Sequence, residues 1–63
     1  MKNIDYIDYN LTNDGFICFI GWISVNNKEY RKKQFYAGTV KQSKKDFIRY
    51  LKNEIKELRK VNI

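Results

Sequence analysis

Sixty-three residues make a single domain, residues 1–63, and a chain this short buries only roughly 60% of the surface its unfolded form exposes, too little to enclose a deep catalytic cavity. Thirteen Lys and Arg against seven Asp and Glu give a net charge of +6. One cysteine and no histidine exclude an internal disulfide, imidazole acid–base chemistry and histidine-ligated zinc.

Taken in chain order, the first extended stretch runs from Ile4 to Leu11. Thr12-Asn13-Asp14-Gly15 follows, and Asp-Gly supplies the positive φ angles that a tight hairpin needs. The second stretch, Phe16 to Val25, is apolar on both faces and reads as the central strand of a meander. Asn26-Asn27 is a second turn signal, and Glu29 to Val40 the third extended stretch. Ser43 then stands as the expected N-cap of a helix from Lys44 to Lys60, with Asp46 at the third helical position. Phe47, Ile48, Leu51, Ile55 and Leu58 recur at helical spacing on its apolar side. The expected fold is α+β, a three-stranded antiparallel meander followed by one C-terminal helix packed on one sheet face, β-β-β-α.

Counting outward from two-residue loops at Asp14-Gly15 and Asn26-Asn27 sets the expected faces. Tyr6, Ile17, Phe19, Ile23, Val25, Tyr30 and Tyr36 share one, with Ile4 at its edge. Ile7, Tyr9, Leu11, Cys18, Ile20, Trp22, Arg31, Lys33 and Phe35 share the other. The first holds fewer charges and suits the helix. The second is left over, and an uncovered patch of aromatic and cationic residues marks an interaction surface. Tyr9, Trp22, Arg31, Lys33 and Phe35 are therefore the candidate partner-binding residues.

Charge is unevenly spread. Residues 1–25 carry a net −2 and residues 26–63 a net +8. The dense part, Lys28, Arg31, Lys32, Lys33, Lys41, Lys44 and Lys45, is a candidate phosphate-neutralising stripe for DNA or RNA. Lysines on an exposed strand also discourage unwanted sheet pairing.

The residues offer no recognisable catalytic set. Cys18 sits inside the most apolar strand, where a thiol behaves as a small hydrophobe. Asp5 and Asp8 point to opposite strand faces, and Glu54 and Glu57 read as solvated helix charges. Gly15, Gly21 and Gly38 form no phosphate-cradling loop, and no metal-ligand cluster is recognisable. The expectation is a non-enzyme without cofactor or metal. No apolar run reaches the ~20 residues that span a bilayer, and the N-terminus carries no apolar signal-peptide core. Together these point to a cytoplasmic protein with a reduced thiol and no membrane partner.

Phe35-Tyr36-Ala37-Gly38-Thr39 through Ser43-Lys44-Lys45-Asp46-Phe47, a basic strand feeding a lysine-capped helix after a meander, resembles the AP2-like N-terminal DNA-binding domain of tyrosine integrases. In that family the sheet face enters the major groove, which here implicates Trp22, Arg31 and Lys33. The Gly-x-x-x-x-Ser-Lys-Lys piece from Gly38 to Lys45 is also similar to the last strand and helix of double-stranded-RNA-binding domains, whose first helix has no counterpart in this chain. In size, AT-biased residue usage and lack of a catalytic set, the chain is similar to small phage and mobile-element proteins of the anti-CRISPR or anti-defence type. That resemblance implies an inhibitor or modulator of a host protein or nucleoprotein complex, acting in the host cytoplasm. A small basic DNA- or RNA-binding module is the alternative, and a homodimer joined through Trp22 and Ile20 a third.

Overall fold

A computed structural model describes residues 3–61. Strands β1 (Ile4–Leu11), β2 (Ile17–Val25) and β3 (Lys28–Tyr36) are followed by helix α1 (Val40–Val61). The sheet is antiparallel in the order β1-β2-β3, so the expected β-β-β-α architecture is observed.

The two hairpins close differently. Asn26 and Asn27 both have positive φ, and Val25 pairs directly with Lys28, so the second turn is the expected two-residue loop. In the first, only Gly15 has positive φ, and its N–H donates to the Thr12 carbonyl at 3.2 Å. The Thr12 N–H donates to the Phe16 carbonyl at 2.9 Å, while Thr12 Oγ1 accepts from the Phe16 N–H at 3.0 Å. Thr12 and Phe16 therefore close a three-residue loop, Asn13–Gly15, in place of the expected two. One extra loop residue moves the register by one and turns every β1 side chain over. Leu11 faces Ile17, Tyr9 faces Phe19 and Ile7 faces Gly21. Ile7, Tyr9 and Leu11 thus lie on the helix side, and Tyr6 on the opposite one, the reverse of the expectation. An irregularity at Asp5, between the pairs Ile4–Ile23 and Tyr6–Trp22, returns Ile4 to the helix side as well.

The helix begins at Val40, four residues before the expected start. Gly38 turns the chain at positive φ, and Thr39, rather than Ser43, caps the helix. Thr39 Oγ1 accepts from the Gln42 N–H at 3.2 Å, and its carbonyl accepts from the Ser43 N–H at 3.0 Å. Ser43 is buried against the sheet, and the first turn holds no acidic residue, so Asp46 does not complement the helix end. At 1.5 Å per residue the 22-residue helix is about 33 Å long. None of the described helix is long and apolar enough to cross a membrane.

The core lies between α1 and the helix side of β2. Ile17, Phe19, Ile23 and Val25 are buried against Phe47, Leu51 and Ile55. Phe19 and Phe47 have ring centroids 5.3 Å apart, and Tyr36 stands edge-on to both. Gly21 completes the stripe because a Cβ there would come within 2.7 Å of Leu51 Cδ1 and 3.0 Å of Phe47 Cε2. The missing side chain is what lets the helix sit this close. The far end is held by side chains: Asn3 exchanges hydrogen bonds with Ser24, and Arg59 donates to Asn3 Oδ1 at 2.6 Å.

Two outcomes follow from this packing. Gly21→Ala is expected to lower stability by about 1–3 kcal/mol by overpacking, read as a lower urea midpoint, and Gly21→Val by more. Burial, with Asp46 and Tyr50 nearby, raises the Tyr36 hydroxyl above its ordinary value of 10.0. The folded state holds that proton to higher pH than the unfolded chain, so stability is complete below about pH 10 and falls as pH rises beyond it. Tyr36→Phe should flatten that alkaline fall in a pH series of urea midpoints.

Candidate interaction face

The helix covers one sheet face, and nothing in the described chain covers the other. Its side chains fall into rows across the strands, each row joining directly opposed residues: Asn10–Cys18–Phe35, Asp8–Ile20–Lys33 and Tyr6–Trp22–Arg31. At the far end Ser24 stands beside Glu29 and donates to the Asp5 carboxylate.

The middle of this face is apolar and aromatic. The Tyr6 and Trp22 rings pack with centroids 5.4 Å apart at 41°. Tyr6 remains 59% exposed and Phe35 57% exposed, while Trp22 and Ile20 between them are half-buried. Lys33 Nζ lies 5.9 Å from the Phe35 ring centroid, so the lysine partly screens the ring it accompanies. Arg31 sits beside Trp22 with an exposed side chain that forms no ion pair among the described residues. Asp8, on the β1 side of Ile20, and Glu29, two residues before Arg31 on β3, are acidic counterweights, with the Asp5 carboxylate at the far end.

Trp22, Arg31, Lys33 and Phe35 come together on this face as expected. Tyr9 does not. It lies on the helix side, stacked on Phe19 with centroids 5.4 Å apart, and Tyr6 takes its place beside Trp22. The Thr12 clamp at the first loop is responsible, and its signal in the sequence is the threonine three residues before glycine, which suits a type I turn closed by a left-handed residue. Cys18 is only 7% exposed, yet it belongs to this face and not to the helix-side core, because Phe35 and Asn10 flank it across the strands.

The basic stripe is not one surface. Arg31 and Lys33 project from the uncovered face, while Lys28 and Lys32 alternate onto the helix side. Lys32 Nζ pairs with Glu54 Oε1 at 3.0 Å, both side chains about three-quarters covered, so this lysine ties the sheet to the helix instead of facing a ligand. Glu54 is accordingly not the solvated charge its spacing implied, while Glu57 pairs with Lys60 at the surface. Lys41, Lys44 and Lys45 lie at the helix start and are exposed. The seven basic residues therefore divide among the open face, the helix side of β3 and the helix. A shallow open depression on α1, lined by Asp46, Arg49, Tyr50, Lys52, Asn53 and Lys56, is separate from the uncovered sheet face. Among the described residues, no three of Cys, Asp and Glu converge on a point that could hold a metal ion.

No protein-family model, curated protein or solved structure matches this chain.

Because Phe35 stands directly opposite Cys18 in the non-hydrogen-bonded spacing that brings side chains closest, it should control access to the thiol. Phe35→Ala is expected to raise the rate of Cys18 labelling by a small thiol reagent in the folded protein, with circular dichroism confirming that the fold is retained. Truncation at Tyr6, on the other side of Trp22, should leave that rate nearly unchanged.

Proposed function

We propose that this chain is a non-enzymatic binding protein whose uncovered sheet face docks on a partner protein or nucleoprotein complex, acting as an inhibitor or modulator of that host complex. The observation that carries this reading is the row Tyr6–Trp22–Arg31 with Phe35 and Lys33 beside it, an exposed aromatic and cationic cluster on a sheet made rigid by the helix behind it. Tyr, Trp and Arg dominate binding energy at protein interfaces, where flat amphipathic rings contribute area at small entropic cost. Arg31 and Lys33 share the face with Asp8, Glu29 and the Asp5 carboxylate, a mixed charge pattern that favours a partner surface with complementary charges of both signs around an apolar centre.

A second reading, a DNA- or RNA-binding module, is favoured by the same face in one respect: Arg31 and Lys33 stand among three rings on which bases can stack. The division of the remaining basic residues weakens it, since a phosphate track would have to cross from the sheet to the helix start.

Capture from host extract with and without nuclease, using wild type, Tyr6→Ala and Arg31→Ala, separates the two. A protein partner that survives nuclease and is lost with either substitution, at about tenfold weaker affinity or more, supports the first reading. Direct nucleic-acid binding whose salt slope falls by about 2 in the Arg31→Ala, Lys33→Ala double variant supports the second. Capture that neither substitution alters would remove this face from the function.

A further inference from the structure

The sheet has two free edges, and they are defended unequally. β3 carries Lys28, Arg31, Lys32 and Lys33 along its length, charges that repel an added strand of the same kind. β1, Ile-Asp-Tyr-Ile-Asp-Tyr-Asn-Leu, holds no cation and no proline, and beyond the irregularity at Asp5 it pairs regularly from Tyr6 to Leu11.

Which groups the β1 edge offers follows from the turn. Thr12 donates its N–H to Phe16, so its polar groups point toward β2. Along an antiparallel strand this direction alternates. Asn10, Asp8 and Tyr6 therefore face β2, while Ile7, Tyr9 and Leu11 present N–H and C=O at the free edge. Consistently, the Tyr9 N–H is taken by no strand and instead donates to Asp8 Oδ1 at 2.8 Å. The same three residues carry their side chains on the helix side, where α1 lies over β2 and leaves Tyr9 47% and Leu11 69% exposed. One strand thus combines unpaired backbone with uncovered apolar side chains.

We infer that β1 pairs with β1 of a second copy, antiparallel about a twofold axis at Tyr9, to form a closed six-stranded dimer. In this register Tyr9 meets the second copy's Tyr9, Ile7 meets its Leu11, and Asp8 meets its Asn10, so apolar groups oppose apolar groups on one face and unlike polar groups oppose on the other. The edge N–H and C=O groups of Ile7, Tyr9 and Leu11 then find each other in both directions. Centring the axis on Asp8 would set two carboxylates face to face, and centring it on Ile7 would run Tyr9 into the irregularity at Asp5. Because the axis is perpendicular to the sheet, both helices lie on one side, and the Ile7–Tyr9–Leu11 strips of the two copies merge between them. The Asp8 carboxylate, which caps the Tyr9 N–H, acts as a brake that pairing must release. This interface is independent of the uncovered face, which stays open on the other side of the six-stranded sheet.

Sedimentation equilibrium from micromolar to millimolar concentration, together with amide exchange, tests the inference. The expected result is a mass that saturates at twice that of the chain, with the Ile7, Tyr9 and Leu11 amides growing more protected as concentration rises. Leu11→Lys, at an exposed position, should weaken association by about tenfold or more with the circular dichroism unchanged. Tyr9→Pro, which removes an edge N–H that β2 does not use, should weaken it further. A chain monomeric throughout, growth beyond the dimer, or a dimer indifferent to Leu11→Lys but broken by Trp22→Lys on the uncovered face would each overturn it.

Discussion

The close approach of α1 to the middle of β2 is the contact on which the other features depend. Gly21 creates a notch in an otherwise bulky strand, and Phe47 and Leu51 descend into it while Phe19 and Ile23 pack on either side. A chain of this size has apolar surface for one such layer and little more. Seating α1 there occupies one face of the sheet and leaves the reverse to the solvent or to a partner. The Lys32–Glu54 pair and the Arg59–Asn3–Ser24 chain of hydrogen bonds then tie the C-terminal half of the helix to the strands.

A second constraint is local. Thr12 binds both backbone polar groups of Phe16, through its own N–H and its hydroxyl, and Gly15 absorbs the left-handed conformation. These few bonds set the register of β1 on β2 and so decide which aromatic residue stands beside Trp22. They place Tyr6 in the uncovered cluster and send Tyr9 to the helix side, where it stacks on Phe19 at the margin of the core. The same choice exposes Leu11 and makes the β1 edge apolar on one side.

Charge follows the pleat rather than the sequence run. Arg31, Lys32 and Lys33 are adjacent in the chain, but a strand sends neighbours to opposite faces. The middle lysine is consumed in holding the helix and the outer two cations are offered outward. Those two cations stand among exposed rings with Asp8, Glu29 and the Asp5 carboxylate on the same face, so no continuous cationic track crosses it. The lysines left at the helix start serve a different region of the molecule.

The pattern of residues alone determined the β-β-β-α order, the central position of the Phe16 to Val25 stretch, the two-residue Asn26-Asn27 turn and the apolar stripe of the helix, because each arises from interactions among near neighbours or from a simple period. It also placed Trp22, Arg31, Lys33 and Phe35 on one face, since the second turn could be counted correctly. The helix start was displaced because Thr39 and Ser43 are both chemically able to cap, and the choice fell to Thr39 once Gly38 turned the chain and Ser43 could be buried against the sheet. The place of Tyr9, the pairing of Lys32 with Glu54 and the division of the basic residues were decided only in three dimensions. A single extra residue in a loop inverts a whole strand, and an ion pair between residues far apart in sequence exists only after the helix has docked.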